Sequence, residues 1–129
     1  MENCPIKTYR DLIVWQKAHS LAKQVIMICR GFPRNDETAE VIERQLIRSS
    51  TSIPANIAEG HGGHRGRAYQ NYLIMARRSA NETDYWILLA RDLEYIEPEE
   101  YGQLEENCRE VTMMLSKIIS KLKGRSADT

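Results

Sequence analysis

From Arg67 to Glu94 the apolar residues recur at three- and four-residue steps in two parallel rows, a pattern that fits a long helix and excludes a strand. One row is Tyr69, Leu73, Ala76, Ala80, Thr83, Ile87 and Ala90. The other, about 100° round the helical wheel, is Tyr72, Met75, Ser79, Trp86, Leu89 and Leu93. At 1.5 Å per residue the stretch spans roughly 40 Å. One neighbouring helix in a monomeric bundle needs a single row, so the surplus width predicts a subunit interface through Tyr72, Met75, Ser79, Trp86 and Leu89. The simpler alternative is that the alanine-rich row only lets a neighbour pack closely.

Three further amphipathic segments surround this one. The first runs over about 11–30, starting at Asp11, with Trp15, Ala18, Ala22, Val25 and Cys29 on one stripe and Gly31 as a left-handed cap. The second runs over about 36–59, capped by Asn35 or Asp36, with Ala39, Ile42, Leu46, Ser49 or Ser50, Ile53 and Ile57 inward. The fourth runs over about 98–123 with Pro98 in its first turn and Leu104, Cys108, Val111, Met114 or Leu115, Ile118 and Leu122 on its apolar face. Residues 124–129 form a frayed tail. Short connections between four such helices predict an all-α fold, an antiparallel up-down-up-down four-helix bundle, as one domain over residues 1–129.

Pro54 falls inside the second stripe. An internal proline removes one backbone hydrogen bond and crowds the preceding turn, at a cost of about 3 kcal/mol. Because Ile53 and Ile57 keep their spacing across it, the expectation is a kinked helix, with hydroxyls of Ser49, Ser50, Thr51 and Ser52 near the freed carbonyl and Gly60 as a left-handed cap. Ser52, Asn56 and Glu59 share one side of this helix and predict a structural polar network with Arg48, or with Glu82 and Arg78.

Lys plus Arg and Asp plus Glu both number 18, which argues against whole-molecule attraction to nucleic acid or membrane. The charges are nonetheless segregated. No acid lies between Glu59 and Glu82, whereas Arg65, Arg67, Arg77 and Arg78 do; eight acids crowd Asp92 to Glu110. In the expected bundle, Arg65, Arg67, Arg77, Lys121 and Lys123 gather at one end as a candidate contact for structured RNA or DNA phosphates. The acids gather at the other.

Catalytic chemistry finds little support. Helical di-iron sites need Glu-x-x-His pairs, and Gln16, Ala58 and His61 stand three residues before His19, His61 and His64. His61-x-x-His64 sits in a glycine-rich connector with no third ligand nearby, so no metal or other cofactor is expected. Ser52 and Cys108 lack a recognisable base, which leaves no catalytic residue to name. Gly60-x-Gly62-Gly63-x-x-Gly66 has neither the strand nor the Lys-Ser/Thr ending of a phosphate loop. Cys4, Cys29 and Cys108 are unpaired by spacing, and no apolar run approaches a membrane span; both suit a cytoplasmic protein with no membrane partner.

The stretches Tyr9–Ala18, Phe32-Pro33 and Gln45–Gly60, centred on Ser52-Ile53-Pro54-Ala55-Asn56-Ile57-Ala58-Glu59-Gly60, together with Tyr72-Leu73, Ala76, Ser79 and Glu82, resemble a known family. It is the family of small bacterial four-helix-bundle proteins named after intervening sequences in 23S ribosomal RNA genes. The resemblance implies Ser52, Pro54, Asn56, Glu59, Gly60 and Glu82 as a structural signature, a homo-oligomeric ring, usually a homopentamer, and no established enzyme activity. Remoter relatives are basic accessory factors of reverse transcriptases that engage nucleic acid. Arg78 departs from the usual glycine, Ala68 from a frequent acid, and His61, Gly63 and His64 from an aromatic and basic residues. The expected role is thus a non-enzymatic scaffold or interaction module, with nucleic-acid binding as the alternative.

Overall fold

The structure, a computed structural model, describes residues 5–127. Four helices follow a short 3-10 turn at Tyr9–Asp11: α1 (Ile13–Cys29), α2 (Glu37–Gly63), α3 (Gly66–Asp92) and α4 (Pro98–Ala127). No strand occurs among the described residues. The protein is all-α, with α1 against α2 and α4, and α3 between α2 and α4.

The core is the set of inward stripes. Ala18, Leu21 and Val25 of α1, Ile42, Ile53 and Ile57 of α2, Leu73, Ala80 and Ile87 of α3, and Leu104, Val111, Leu115 and Ile119 of α4 are buried in one cluster. On α4 the innermost late position is Ile119, while Ile118 and Leu122 lie at the margin.

Cross-helix bonds give the register. Ser49 lies opposite Thr83 and Ser52 opposite Ser79. Cys108 bonds the Ala80 carbonyl and Arg77 reaches Ser116. Lys17 meets Glu110 and Gln24 meets Asn107. Across these bonds the numbers rise along one helix as they fall along the other.

Several helix ends differ from expectation. Asp11 does not start α1; its carboxylate accepts from the amides of Lys7 and Thr8 and closes the 3-10 turn, and α1 begins after Leu12 without a side-chain cap. Gly31 is not left-handed: α1 ends on a tightened turn in which the Gly31 and Phe32 amides donate to the carbonyls of Ile28 and Cys29. Asp36 caps α2 by accepting from the Ala39 amide. α4 continues through Gly124 to Ala127, since its first-to-last backbone ladder is not interrupted by one glycine; residues 128 and 129 of the expected tail lie outside the described residues.

The largest difference concerns Gly60. It does not end α2 but sits inside it, buried, with Gly62 and Gly63 forming the last turn. A Cβ at position 60 would stand 2.7 Å from the Tyr72 Cβ, so glycine is required there by close packing against α3 rather than by a left-handed backbone. The chain turns at His64 and Arg65, and the positive φ falls on Gly66 at the head of α3.

Candidate functional site

α2 runs through Pro54 without interruption, and the ring is buried. The neighbouring hydroxyls do not bond the Ser50 carbonyl that proline frees. Thr51 donates to the Ile47 carbonyl at 2.7 Å, and Ser49 and Ser50 reach back to Leu46 and Ile47. A serine or threonine on a helix bonds the turn before it, which lies upstream of the freed group.

On the α3 side of α2, small polar residues are paired in a row. Thr83 Oγ1 lies 2.9 Å from Ser49 Oγ, both fully buried. One turn on, Ser79 donates to Ser52 Oγ at 3.0 Å, and Asn56 Nδ2 donates to the Ser52 hydroxyl at 3.0 Å and to its carbonyl at 2.8 Å. Arg48 pairs with Glu82, and the same carboxylate accepts from Trp86 Nε1 at 3.0 Å. The polar groups thus form two clusters instead of the one expected: Ser52 with Asn56 and Ser79, and Arg48 with Glu82 and Trp86, with no bond among the described residues joining Ser52 or Asn56 to Arg48 or Glu82. Glu59 is exposed and takes no part among the described residues, and neither does Arg78. The contributions of Ser49, Ser79 and Thr83 were visible only as positions on apolar stripes; hydroxyls on facing stripes were the available signal.

Beside this row, the second stripe of α3 is incompletely covered. Met75 is 45 % exposed and Leu93 43 %, while Tyr72, Ser79, Trp86 and Leu89 are half-buried. The first stripe is buried from Leu73 to Ala90.

The basic residues divide. Arg65, Arg67, Lys121 and Lys123 are exposed and form no ion pair among the described residues. Arg77 is half-buried and its guanidinium donates to Ser116 Oγ at 3.3 Å, so it braces α3 on α4. From the Arg77–Ser116 bond both helices rise at 1.5 Å per residue toward one end, which brings Arg67 level with the close of α4. His61 and His64 pack on α3 tyrosines, His64 at 4.7 Å from the Tyr72 ring and His61 edge-on to Tyr69, instead of converging on a common point. His61 also lies near enough to Asp11 to help its capping amides hold that carboxyl below its usual range.

Two concave features were not foreseen. A cleft of about 300 Å³ between α3 and α4 is lined by Asn81, Asp84, Tyr101, Glu105 and Arg109. Desolvation, then the charge of Glu105, raises the Asp84 carboxyl, against the pull of Arg109. An apolar groove of about 330 Å³ between α1 and α2 is lined by Trp15, His19, Ala22, Ile26, Pro54 and Ala58. Burial pushes the thiols of Cys29 and Cys108 up to about 12, which keeps both protonated and poorly nucleophilic at neutral pH. Cys4 lies outside the described residues. Among the described residues no group of three His, Cys, Asp or Glu is arranged to hold a metal ion, and no helix is long and apolar enough to cross a membrane.

No curated protein matches the chain. Among solved structures it is similar to a crystal structure of a protein of unknown function from the S23 ribosomal protein family of Bacteroides thetaiotaomicron. The two are 33 % identical with a TM-score of 0.76, over 83 % of this chain and 98 % of that one. The buried glycine, the serine-rich seam and the uninterrupted proline helix all fall within residues 10–117, which match the family model described as 23S rRNA-intervening sequence protein, and the chain belongs to that family.

Proposed function

We propose that this protein is a non-enzymatic, cytoplasmic interaction module: a single domain folded as an antiparallel up-down-up-down bundle, bent at Pro54, that assembles with copies of itself into a ring, a pentamer. The observation that carries this reading is the half-covered second stripe of α3. The polar groups beside it are already satisfied within the protomer, so what remains on offer is apolar area around Met75, Trp86, Leu89 and Leu93. Burying apolar surface contributes about 25 cal/mol per Å², and a second copy is the partner of matching chemistry. A ring needs a heterologous contact, one patch against a different one, repeated until it closes.

Multi-angle light scattering tests this. The wild type is expected as a single species of several subunits at micromolar concentration, and Met75→Glu with Leu93→Glu, both at exposed positions, should shift it to monomer with unchanged helical circular dichroism. A monomeric wild type removes the proposal.

A second reading rests on Arg65, Arg67, Lys121 and Lys123, four exposed cations at one end with no described acidic partner. As a phosphate-contacting surface they predict RNA or DNA binding that weakens steeply with salt. Unchanged binding after Arg65→Glu with Arg67→Glu would exclude them.

A further inference from the structure

The two ends of the molecule carry opposite charge. At one, Arg65 and Arg67 at the head of α3 lie within about two helical turns of the level of Lys121 and Lys123 of α4, all exposed, with Glu59 the exposed acid near the close of α2. At the other, the Tyr95 hydroxyl bonds the Asp36 carboxylate at 3.1 Å and the Phe32 and Tyr95 rings lie 5.6 Å apart, which ties the α1–α2 and α3–α4 connections together. That end presents Glu37, Glu94, Glu97 and Glu99, also exposed and, among the described residues, in no ion pair; the exposed Arg30 and Arg34 of the α1–α2 connection offset part of this charge and leave acids in excess.

Helix chemistry accounts for only part of this. Glu37, Glu97 and Glu99 lie at helix starts, where negative charge is favoured. On α3 most charges oppose the helix dipole: Arg65 is an N-cap without a side-chain bond, Arg67 follows in an acid-free first turn, and Glu94 sits just past the far end at φ 63°, while the one last-turn base, Arg91, is paired with Asp92. Each mismatch costs a few tenths of a kcal/mol. Both α3 ends nonetheless carry the sign of the molecular end they belong to, so the polarity is a property of the surface and not of single helices.

From this we infer that the basic end of one molecule docks on the acidic end of a second copy, giving head-to-tail chains along the bundle axis. The inference rests on the bundle arrangement proposed above but not on the ring, because a monomer and a ring carry the same two ends. A contact between two different patches that does not close generates open chains. The complementarity is internal to one sequence: Lys plus Arg equals Asp plus Glu, 18 each, so each added copy brings no net charge. Fields reach about 30 Å at 0.01 M salt and about 8 Å at 0.15 M, so the association belongs to low ionic strength.

Sedimentation equilibrium at about 10 mM and about 300 mM salt reads it, the range over which screening contracts from about 30 Å to a few ångströms. The mass at high salt is the unit, whether monomer or ring. At low salt the weight-average mass should rise by about twofold or more. Arg65→Glu with Arg67→Glu cancels the charge of the four cations at the basic end, and Glu97→Lys with Glu99→Lys cancels that of the four acids at the other, so each variant keeps one charged end; each alone should stay at the unit mass. Mixed one to one, they should regain the heavier species, a result that misfolded protein cannot give. Absence of the heavier species in wild type, failure of the mixture to restore it, or its disappearance on nuclease treatment overturns the proposal. A monomeric unit mass with intact salt-dependent growth would sink the ring alone.

Discussion

α3 has two flanks built on different principles. Toward α2 the contact is made of small groups: Gly60 under Tyr72, Ser49 against Thr83, and Ser79 against Ser52. Each hydroxyl is neutral and finds its partner across a short gap, while the Arg48–Glu82 ion pair between the same helices lies at their exposed margin. Toward α4 the facing residues past Cys108 are Asp84, Glu105 and Arg109, which need water, and the helices part around a cleft of about 300 Å³. Short neutral polar groups can be buried in pairs, whereas charges hold a seam open because desolvating them costs more than their attraction returns.

The largest expected break is Gly60→Val. Its Cβ would overlap the Tyr72 Cβ at 2.7 Å and crowd the Tyr69 ring at 3.1 Å, and neither is the free end of a flexible chain. A loss of about 3 kcal/mol is expected in urea unfolding, the upper part of the overpacking range. Gly102→Ala on α4, where a Cβ meets nothing within 4 Å, should instead stabilise by up to about 1 kcal/mol. Equal losses at both glycines would show that position 60 is not a packing constraint.

Next in size is Thr83→Val, which strips Ser49 Oγ of its 2.9 Å partner in a fully buried site, leaves it only the long 3.4 Å bond to the Leu46 carbonyl, and should cost about 1 kcal/mol. Adding Ser49→Ala should restore part of the loss, because the weakly bonded hydroxyl goes with it. Additive losses in this cycle would deny that the two hydroxyls act as a pair.

The smallest effect belongs to the open flank. Asp84 has its carboxyl raised by desolvation and by Glu105, so its ionisation opposes folding. That penalty is complete above the folded-state value and vanishes as pH falls below the unfolded one. Asp84→Asn should therefore raise the melting temperature slightly at pH 7, by less than about 0.5 kcal/mol in stability, and the gain should fade through the carboxylate range. A gain that persists at pH 3 would trace to packing instead.

Periodicity made the four helices and nearly all of the core legible, because burial of Leu73, Ile87, Leu115 and their like repeats with the helix turn. The bond of Asn56 to Ser52 was also readable, as side chains one turn apart; the pairing of Arg48 with Glu82 was not, because the two stood as alternative partners of that cluster and not of each other. Gly60 was not. A glycine near the end of a stripe reads as a cap, and only the approach of Tyr72, twelve residues away, gives it a place inside the helix. The cleft at Asp84 and the groove at Pro54 were hidden for the same reason, since each needs two helices to have walls.

What the sequence by itself determined is which faces turn inward, where the charges collect and to which family the signature around Pro54 points, since all three are linear patterns along single helices. Only the tertiary structure decided which glycine is pressed against a neighbour and which hydroxyls meet, because those depend on distances between helices that no spacing within one helix encodes.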